Sequence, residues 1–131
     1  MQIPLLVLVV EDDFSIKELA VEALSEGGFE PQAVASGEEA LALLQRDHHQ
    51  YRALITDIHL QGELTGWDVA RRARELNLDM PVVYMTGDSA DQWPSQGVPT
   101  SILLTKPFAP VQLVTAVSNL LNAAPPTAPT E

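Results

Sequence analysis

Two kinds of apolar pattern alternate along the chain. Short continuous apolar runs, of which residues 5–10 are the strongest, are typical of strands that a parallel sheet buries on both faces. Between the runs, apolar residues recur every three or four positions, as they do on one face of a helix. The runs predict strands at residues 5–10, 29–34, 53–56, 81–85 and 102–104. Five strands alternating with about five helices predict an α/β fold, an open parallel sheet with helices on both faces.

Capping signals mark where several of the predicted helices begin. Ser36 followed by Glu39, and Thr65 followed by Asp68, have the form of capping boxes. The segment 89–97 differs, because it holds a proline among polar residues and allows at most a short helix. The fourth helix is therefore predicted to be short or irregular.

The same pattern divides the 131 residues into one domain and two short ends. Residues 5–122 carry the alternating elements, which is a normal size for one compact domain. Residues 1–4 are an N-terminal extension, and residues 123–131, rich in Pro and Thr, are expected to form a flexible tail. No apolar stretch approaches the roughly 20 residues that span a bilayer, and the N-terminus lacks the basic residues of a secretion signal.

Composition and charge exclude several classes of site and partner. The chain has no cysteine, so disulfides, thiolate metal sites and cysteine nucleophiles are excluded, which fits a cytoplasmic location. Acidic residues outnumber basic ones by 18 to 7, giving a net charge of −11. Such a charge repels phosphate backbones and anionic lipid, so we expect neither nucleic acid nor a membrane as a partner. The acids are either ordinary surface charge or partly gathered around a cation, and composition alone does not separate these.

Residues with distinctive chemistry stand where the predicted strands end. The third strand ends at Asp57, the fourth ends at Thr86, and Lys106 follows the fifth. The first strand is followed by three acids, Glu11, Asp12 and Asp13. Ligands of open α/β sheets bind outside the carboxyl ends of the strands, so we expect these side chains to meet there. Asp13 is equally well explained as the cap of the next helix.

Clustered carboxylates beside an ammonium and a hydroxyl favour phosphoryl chemistry with a metal ion. Carboxylates repel one another unless a proton or a cation lies between them, and Mg²⁺ prefers a few carboxylates, water and phosphate oxygens. A flavin or nucleotide site would need Gly, Ser and Thr after the first strand instead of acids. Asp57 is the natural nucleophile, because a carboxylate can form an acyl phosphate. Lys106 would pair with a phosphate oxygen, and Thr86 would donate a hydrogen bond to another.

At these residues the sequence resembles the receiver domain of bacterial two-component response regulators, of the single-domain, CheY-like kind. The matching segments are residues 9–13, Asp57, Thr86-Gly87 and residues 106–108, in that order. The resemblance covers residues 5–122. It implies the (βα)5 flavodoxin-like receiver fold with strand order 2-1-3-4-5.

The resemblance also implies which residues bind the metal ion. Asp12 and Asp57 would bind Mg²⁺ (or Mn²⁺) directly, and Glu11 would act through a water molecule. His59, two residues after Asp57, would offer its backbone carbonyl.

For phosphoryl transfer, the resemblance implies that Asp57 is the phosphoacceptor, Thr86 the switch hydroxyl and Lys106 the phosphate-pairing lysine. The Lys106–Pro107 peptide bond would be cis. The phosphoryl donor would be a phosphohistidine on a histidine kinase or a histidine phosphotransfer protein.

The sequence departs from the receiver pattern at three places. The Met-Pro pair usual after the acceptor aspartate is missing, and residues 58–65 make a loop about one residue longer. Leu103 occupies a position where Tyr or Phe is usual. The third departure is the short fourth helix.

We therefore expect a signalling domain that is phosphorylated on Asp57, acts on a downstream protein, and is no enzyme beyond assisting its own phosphorylation and dephosphorylation. Two alternatives stay open: a pseudo-receiver that binds partners without phosphorylation, and a receiver that is part of a larger hybrid kinase or regulator. A haloacid dehalogenase-type phosphatase is disfavoured, because such enzymes carry a second aspartate where this chain has His59.

Overall fold

Five parallel strands form the sheet of the computed structural model, which describes residues 5–123. The strands are β1 (Leu6–Val10), β2 (Glu30–Val34), β3 (Ala53–Asp57), β4 (Val82–Thr86) and β5 (Ser101–Thr105). Their spatial order is β2-β1-β3-β4-β5, as the resemblance implied. Each predicted strand boundary lies within one residue of the observed one. The predicted fold is therefore confirmed.

Helices cover both faces of this sheet. They are α1 (Phe14–Glu26), α2 (Gly37–Asp47), α3 (Gly66–Leu76), α4 (Trp93–Gln96) and α5 (Pro110–Asn122). No helix between residues 5 and 123 is long and apolar enough to cross a bilayer. The expected extension 1–4 and all but the first residue of the expected tail 123–131 lie outside the described residues.

The alternation of side chains along the central strands divides the core into two layers. Val7 and Val9 of β1 pack with apolar residues of α1 and α5, whereas Leu8 and Val10 pack with those of α2 and α3. All four valine and leucine side chains are fully buried. Burial on both faces explains why these strands are continuous apolar runs in the sequence.

Side-chain caps begin α2 and α3 where the sequence predicts. Ser36 accepts a hydrogen bond from the Glu39 amide (3.1 Å), but Glu39 reaches back to the amide of Ala35 instead of Ser36. Thr65 and Asp68 form the complete reciprocal capping box. These caps fix the entry of each helix beside the carboxyl edge of the sheet.

The segment between β4 and β5 contains only a short turn, residues 90–92, and the single turn of α4. Two arginines of α3 fix this segment by hydrogen bonds. Arg74 donates to the carbonyls of Pro99 and Thr100, and Arg71 donates to Gln96. The prediction of a short, irregular fourth helix is confirmed.

Leu103 lies opposite Tyr84 in the register of β4 and β5. Tyr84 is fully buried and its hydroxyl accepts a hydrogen bond from the Val98 amide (3.0 Å). In this pair the aromatic side chain is therefore Tyr84 of β4, which fills the core. Leu103 of β5 is half-buried. A leucine has no polar tip that could favour an exposed position.

Candidate functional site

Three carboxylates meet at the carboxyl edge of the sheet. Glu11 and Asp12 follow β1, and Asp57 is the last residue of its neighbour β3. Ligand oxygens of the three side chains all lie within 4.8 Å of one another. The prediction that the first and third strand ends bring acids together is confirmed. Glu11 is fully buried and Asp57 is 6% exposed, so the cluster is largely withdrawn from solvent.

One ammonium group lies among these carboxylates. The Nζ atom of Lys106 is 3.1 Å from Oε1 of Glu11 and 3.1 Å from Oδ1 of Asp57. Lys106 is placed by its own backbone, since its amide donates to the carbonyl of Thr86 at 2.8 Å. The Lys106–Pro107 peptide bond is cis, as the resemblance implied.

The charged side chains of this cluster shift one another's pKa values. Burial raises the pKa of Glu11 to about 7; the amide of Asp13 opposes this, the charge of Asp57 adds to it, and Lys106 opposes it. Burial alone would lower the pKa of Lys106, but Asp57 and Glu11 outweigh it and raise that pKa above its ordinary value. A single ammonium thus stays charged between carboxylates that it does not fully neutralise.

Thr86 lies at the end of β4, fully buried beside the cluster. Its hydroxyl oxygen accepts hydrogen bonds from the amides of Asp88 (3.2 Å) and Ser89 (2.9 Å). Because the oxygen accepts both bonds, the hydroxyl hydrogen can still be donated to another group. Thr86 therefore fixes the loop after β4 and keeps a donor available.

His59 points its side chain at this same loop. Its Nε2 atom is 2.8 Å from Oγ of Ser89 and 3.0 Å from Oδ1 of Asp88. The Ser89 hydroxyl donates to Asp88 (3.0 Å), so we assign a hydrogen to Nε2 of His59. Ser89, and to a lesser degree His59, hold the pKa of Asp88 below its ordinary value. The three side chains tie the loop after β3 to the loop after β4.

Ser89 and Gly66 are two residues of this region that the sequence did not single out. Ser89 is 2% exposed, yet a serine in a polar segment carries no sequence signal of burial. Gly66 begins α3 directly under the end of β3: a Cβ atom there would lie 2.0 Å from the carbonyl oxygen of Asp57. The capping pattern from Thr65 to Asp68 includes Gly66 but does not indicate this contact.

Asp13 takes the other of its two predicted roles. Its side chain accepts a hydrogen bond from the Ile16 amide (3.0 Å) and caps α1. The described metal-ligand cluster comprises Glu11, Asp12 and Asp57 without it.

Comparisons with known proteins identify relatives of this fold. A response regulator receiver protein from Sinorhizobium medicae WSM419 has a solved structure that matches with a TM-score of 0.88 and 41% identity, over 92% of this chain and 96% of that one. CpdR, a response regulator receiver protein of Brucella abortus, is 32% identical over 90% of this chain and 98% of its own length. The probable transcriptional regulator ycf27 of Cyanophora paradoxa is also 32% identical, but this chain spans only 48% of it.

A family model covers most of the chain as well. It describes the response regulator receiver domain and matches residues 7–118. The sheet order, the acids and lysine at its edge, and these matches together place the chain in the family of response regulator receiver domains of two-component systems.

Proposed function

We propose that this domain takes a phosphoryl group from a phosphohistidine onto Asp57, with Mg²⁺ (or Mn²⁺), and signals through contacts with other proteins. The observation that carries the proposal is the position of Lys106, whose ammonium lies 3.1 Å from the Asp57 carboxylate within the acidic cluster. An ammonium there neutralises charge on the carboxylate now and on a phosphoryl oxygen after transfer.

The cluster fits a hard divalent cation. Three carboxylates with oxygens within 4.8 Å of one another face one ammonium, so negative charge remains uncompensated in a closely spaced, oxygen-rich group. We assign Asp12 and Asp57 as direct ligands, Glu11 as a ligand through water, and the backbone carbonyl of His59 as a further donor. The bound cation would offset charge on the acceptor and on the incoming phosphoryl group.

The residues of the chain have separate tasks in the transfer. A carboxylate oxygen of Asp57 forms a bond to phosphorus while the bond from phosphorus to the donor histidine breaks, and that electron pair stays on the imidazole nitrogen. Lys106 pairs with one phosphoryl oxygen. Thr86 donates its hydroxyl hydrogen to another, since its oxygen only accepts in the present bonds from the amides of Asp88 and Ser89.

The proposed phosphoryl donors are histidine kinases or histidine phosphotransfer proteins, and the proposed recipient of the signal is another protein. We infer a cytoplasmic domain that assists its own phosphorylation and hydrolysis and has no other substrate. This chain spans 98% of CpdR and 48% of ycf27, so a similar sequence occurs both at about this length and as part of a longer protein. The alternative of a pseudo-receiver requires that Asp57 never accepts a phosphoryl group.

The first prediction is that the chain forms a phosphoryl adduct with a small phosphoryl donor such as acetyl phosphate and Mg²⁺. Intact mass spectrometry would detect the adduct, and fragmentation would place it on Asp57. A chelator should prevent formation of the adduct, because the acidic cluster without a bound cation repels the negatively charged donor. An adduct on an exposed histidine such as His49, or none from a folded chain, would support the pseudo-receiver instead.

The second prediction concerns the lifetime of the acyl phosphate. The bridge from His59 to Ser89 and Asp88 ties together the two loops beside Asp57 and should restrict the approach of water. The double variant His59→Ala, Asp88→Ala should therefore lose its phosphoryl group several-fold faster, measured as adduct decay after donor removal.

The control for this bridge is His49→Ala, which removes an exposed histidine with no contact to the site. It should decay at the wild-type rate. Equal decay in the double variant would show that the bridge does not control water.

A further inference from the structure

The loop between β3 and α3, residues 58–65, is held at its far side by the N-terminal turn of α2. The carboxylate of Glu38 accepts a hydrogen bond from the amide of Glu63 at 3.0 Å. Just before it, Gln61 forms an isolated parallel bridge with Ser36, the cap of α2. The loop is therefore joined to α2 through both backbone and side chain.

Close packing accompanies these hydrogen bonds. Gly62 has φ +98°, and a Cβ atom added to it would lie 2.7 Å from Oε1 of Glu38. Across the same contact, a Cβ atom on Gly37 would lie 2.9 Å from Cβ of Leu64. Glycine is thus favoured at Gly62 by the positive φ and at Gly37 by the close approach of Leu64.

Several amides converge on the Glu38 carboxylate. The Glu63 amide, the amide of Glu38 itself and the Leu64 amide hold the pKa of Glu38 below its ordinary value. The carboxylate also lies in the first turn of α2, where a helix favours negative charge. Glu38 is therefore an anion around which the loop is organised, although its side chain is exposed.

From these contacts we propose that Glu38 is a positioning residue for the metal site: its carboxylate fixes the loop that brings the His59 carbonyl toward the acidic cluster. The proposal rests on the proposed function, which assigns that carbonyl to the metal. His59 is the second residue of the loop. The start of the loop is fixed by a hydrogen bond that the Ile58 amide donates to Oδ1 of Asp57 (2.8 Å). The His59 side chain adds contacts to the loop after β4. Glu38 supplies a further anchor at the other end of the segment.

These anchors matter because the loop is eight residues long, 58–65, and contains no proline. Extra length and the absence of proline both increase the number of conformations open to a loop. A carbonyl ligand on a loose loop binds its metal weakly, since binding must then order the loop. Glu38 removes that cost by ordering the loop beforehand.

The test measures Mg²⁺ binding to the unphosphorylated protein by calorimetry, with hydrogen exchange of the loop amides as a second readout. Glu38→Ala should weaken Mg²⁺ affinity by roughly three- to tenfold, somewhat less than the loss of a direct partner of a metal ligand. The amides of Glu63 and Leu64 should exchange faster. Glu38→Gln keeps an oxygen acceptor and should fall between the two proteins.

The matched control is Glu39→Ala. Glu39 is the adjacent acid of the same helix turn, but its carboxylate caps α2 through the Ala35 amide and does not touch the loop. Glu39→Ala should destabilise α2 as much as Glu38→Ala does, yet leave Mg²⁺ affinity unchanged. This separates loop positioning from helix stability.

The outcomes distinguish this proposal from the proposed function. Mg²⁺ affinity that Glu38→Ala leaves at the wild-type value, with the Asp57 adduct still formed by the wild type, would overturn the role of Glu38 alone. Wild-type protein that binds no Mg²⁺ and forms no adduct would overturn both. A selective loss of affinity in the Glu38 variants would establish the positioning role.

Discussion

An Asp57→Asn variant is expected to form no phosphoryl adduct with any donor. The amide that replaces the carboxylate keeps the shape of the side chain but loses the nucleophilic oxygen and the negative charge. Removing a nucleophile costs on the order of a thousandfold or more in rate, so the adduct should fall below detection. The measurement is intact mass after incubation with acetyl phosphate and Mg²⁺.

The control for Asp57→Asn is the same substitution at Asp12, which belongs to the cluster but is not the proposed acceptor. Asp12→Asn should weaken Mg²⁺ binding and slow the reaction at low Mg²⁺, while an adduct on Asp57 still forms at high Mg²⁺. The pair therefore separates the acceptor from a ligand. A full adduct on the Asp57 variant would mean that another residue accepts the phosphoryl group.

Gly66→Ala is expected to destabilise the fold by about 3 kcal/mol or more, a large value for one added methyl group. The new Cβ atom would lie 2.0 Å from the Asp57 carbonyl oxygen and 2.9 Å from its carbon, and both are backbone atoms that cannot rotate away. Helix propensity acts in the opposite direction, because Ala favours a helix over Gly by up to about 1 kcal/mol. Denaturant unfolding followed by tryptophan fluorescence measures the net effect.

Gly87→Ala serves as the control for Gly66→Ala. A Cβ atom on Gly87 meets nothing within 4 Å, although this glycine also lies beside the site, directly after Thr86. Its stability should change by no more than about 0.5 kcal/mol. If Gly66→Ala were as mild, the contact between α3 and β3 would not be rigid. A folded Gly66→Ala protein should also be phosphorylated more slowly, since Asp57 must have moved.

The parts of the site that the sequence predicted are those that strand ends place automatically. Val10 pairs with Thr56 across β1 and β3, so the residues that follow, among them Glu11 and Asp57, are brought to one edge by hydrogen-bond register alone. Lys106 follows from the same rule, because β5 runs parallel to the rest. Apolar runs buried on both faces reveal such strands directly.

The parts that sequence did not predict depend on contacts between distant segments. Glu38 and Glu39 are adjacent acids in one helix turn, and the capping pattern identifies only Glu39. Glu38 accepts a hydrogen bond from the Glu63 amide, and this contact depends on how α2 lies against the loop after β3. Ser89 is missed for the same reason: its hydrogen bond with His59 joins residues that are 30 positions apart.

The contact between Lys106 and Glu11 joins residues that are 95 positions apart, and β5, which places the lysine, is the last strand at one edge of the sheet. Edge strands open more readily than central ones in native-state fluctuations. A brief detachment of β5 would carry the ammonium away while β1, β3 and their acids stay folded. The ability to hold a phosphoryl group should therefore disappear at a milder perturbation than the fold itself, so that signalling competence reports on the integrity of the outermost strand.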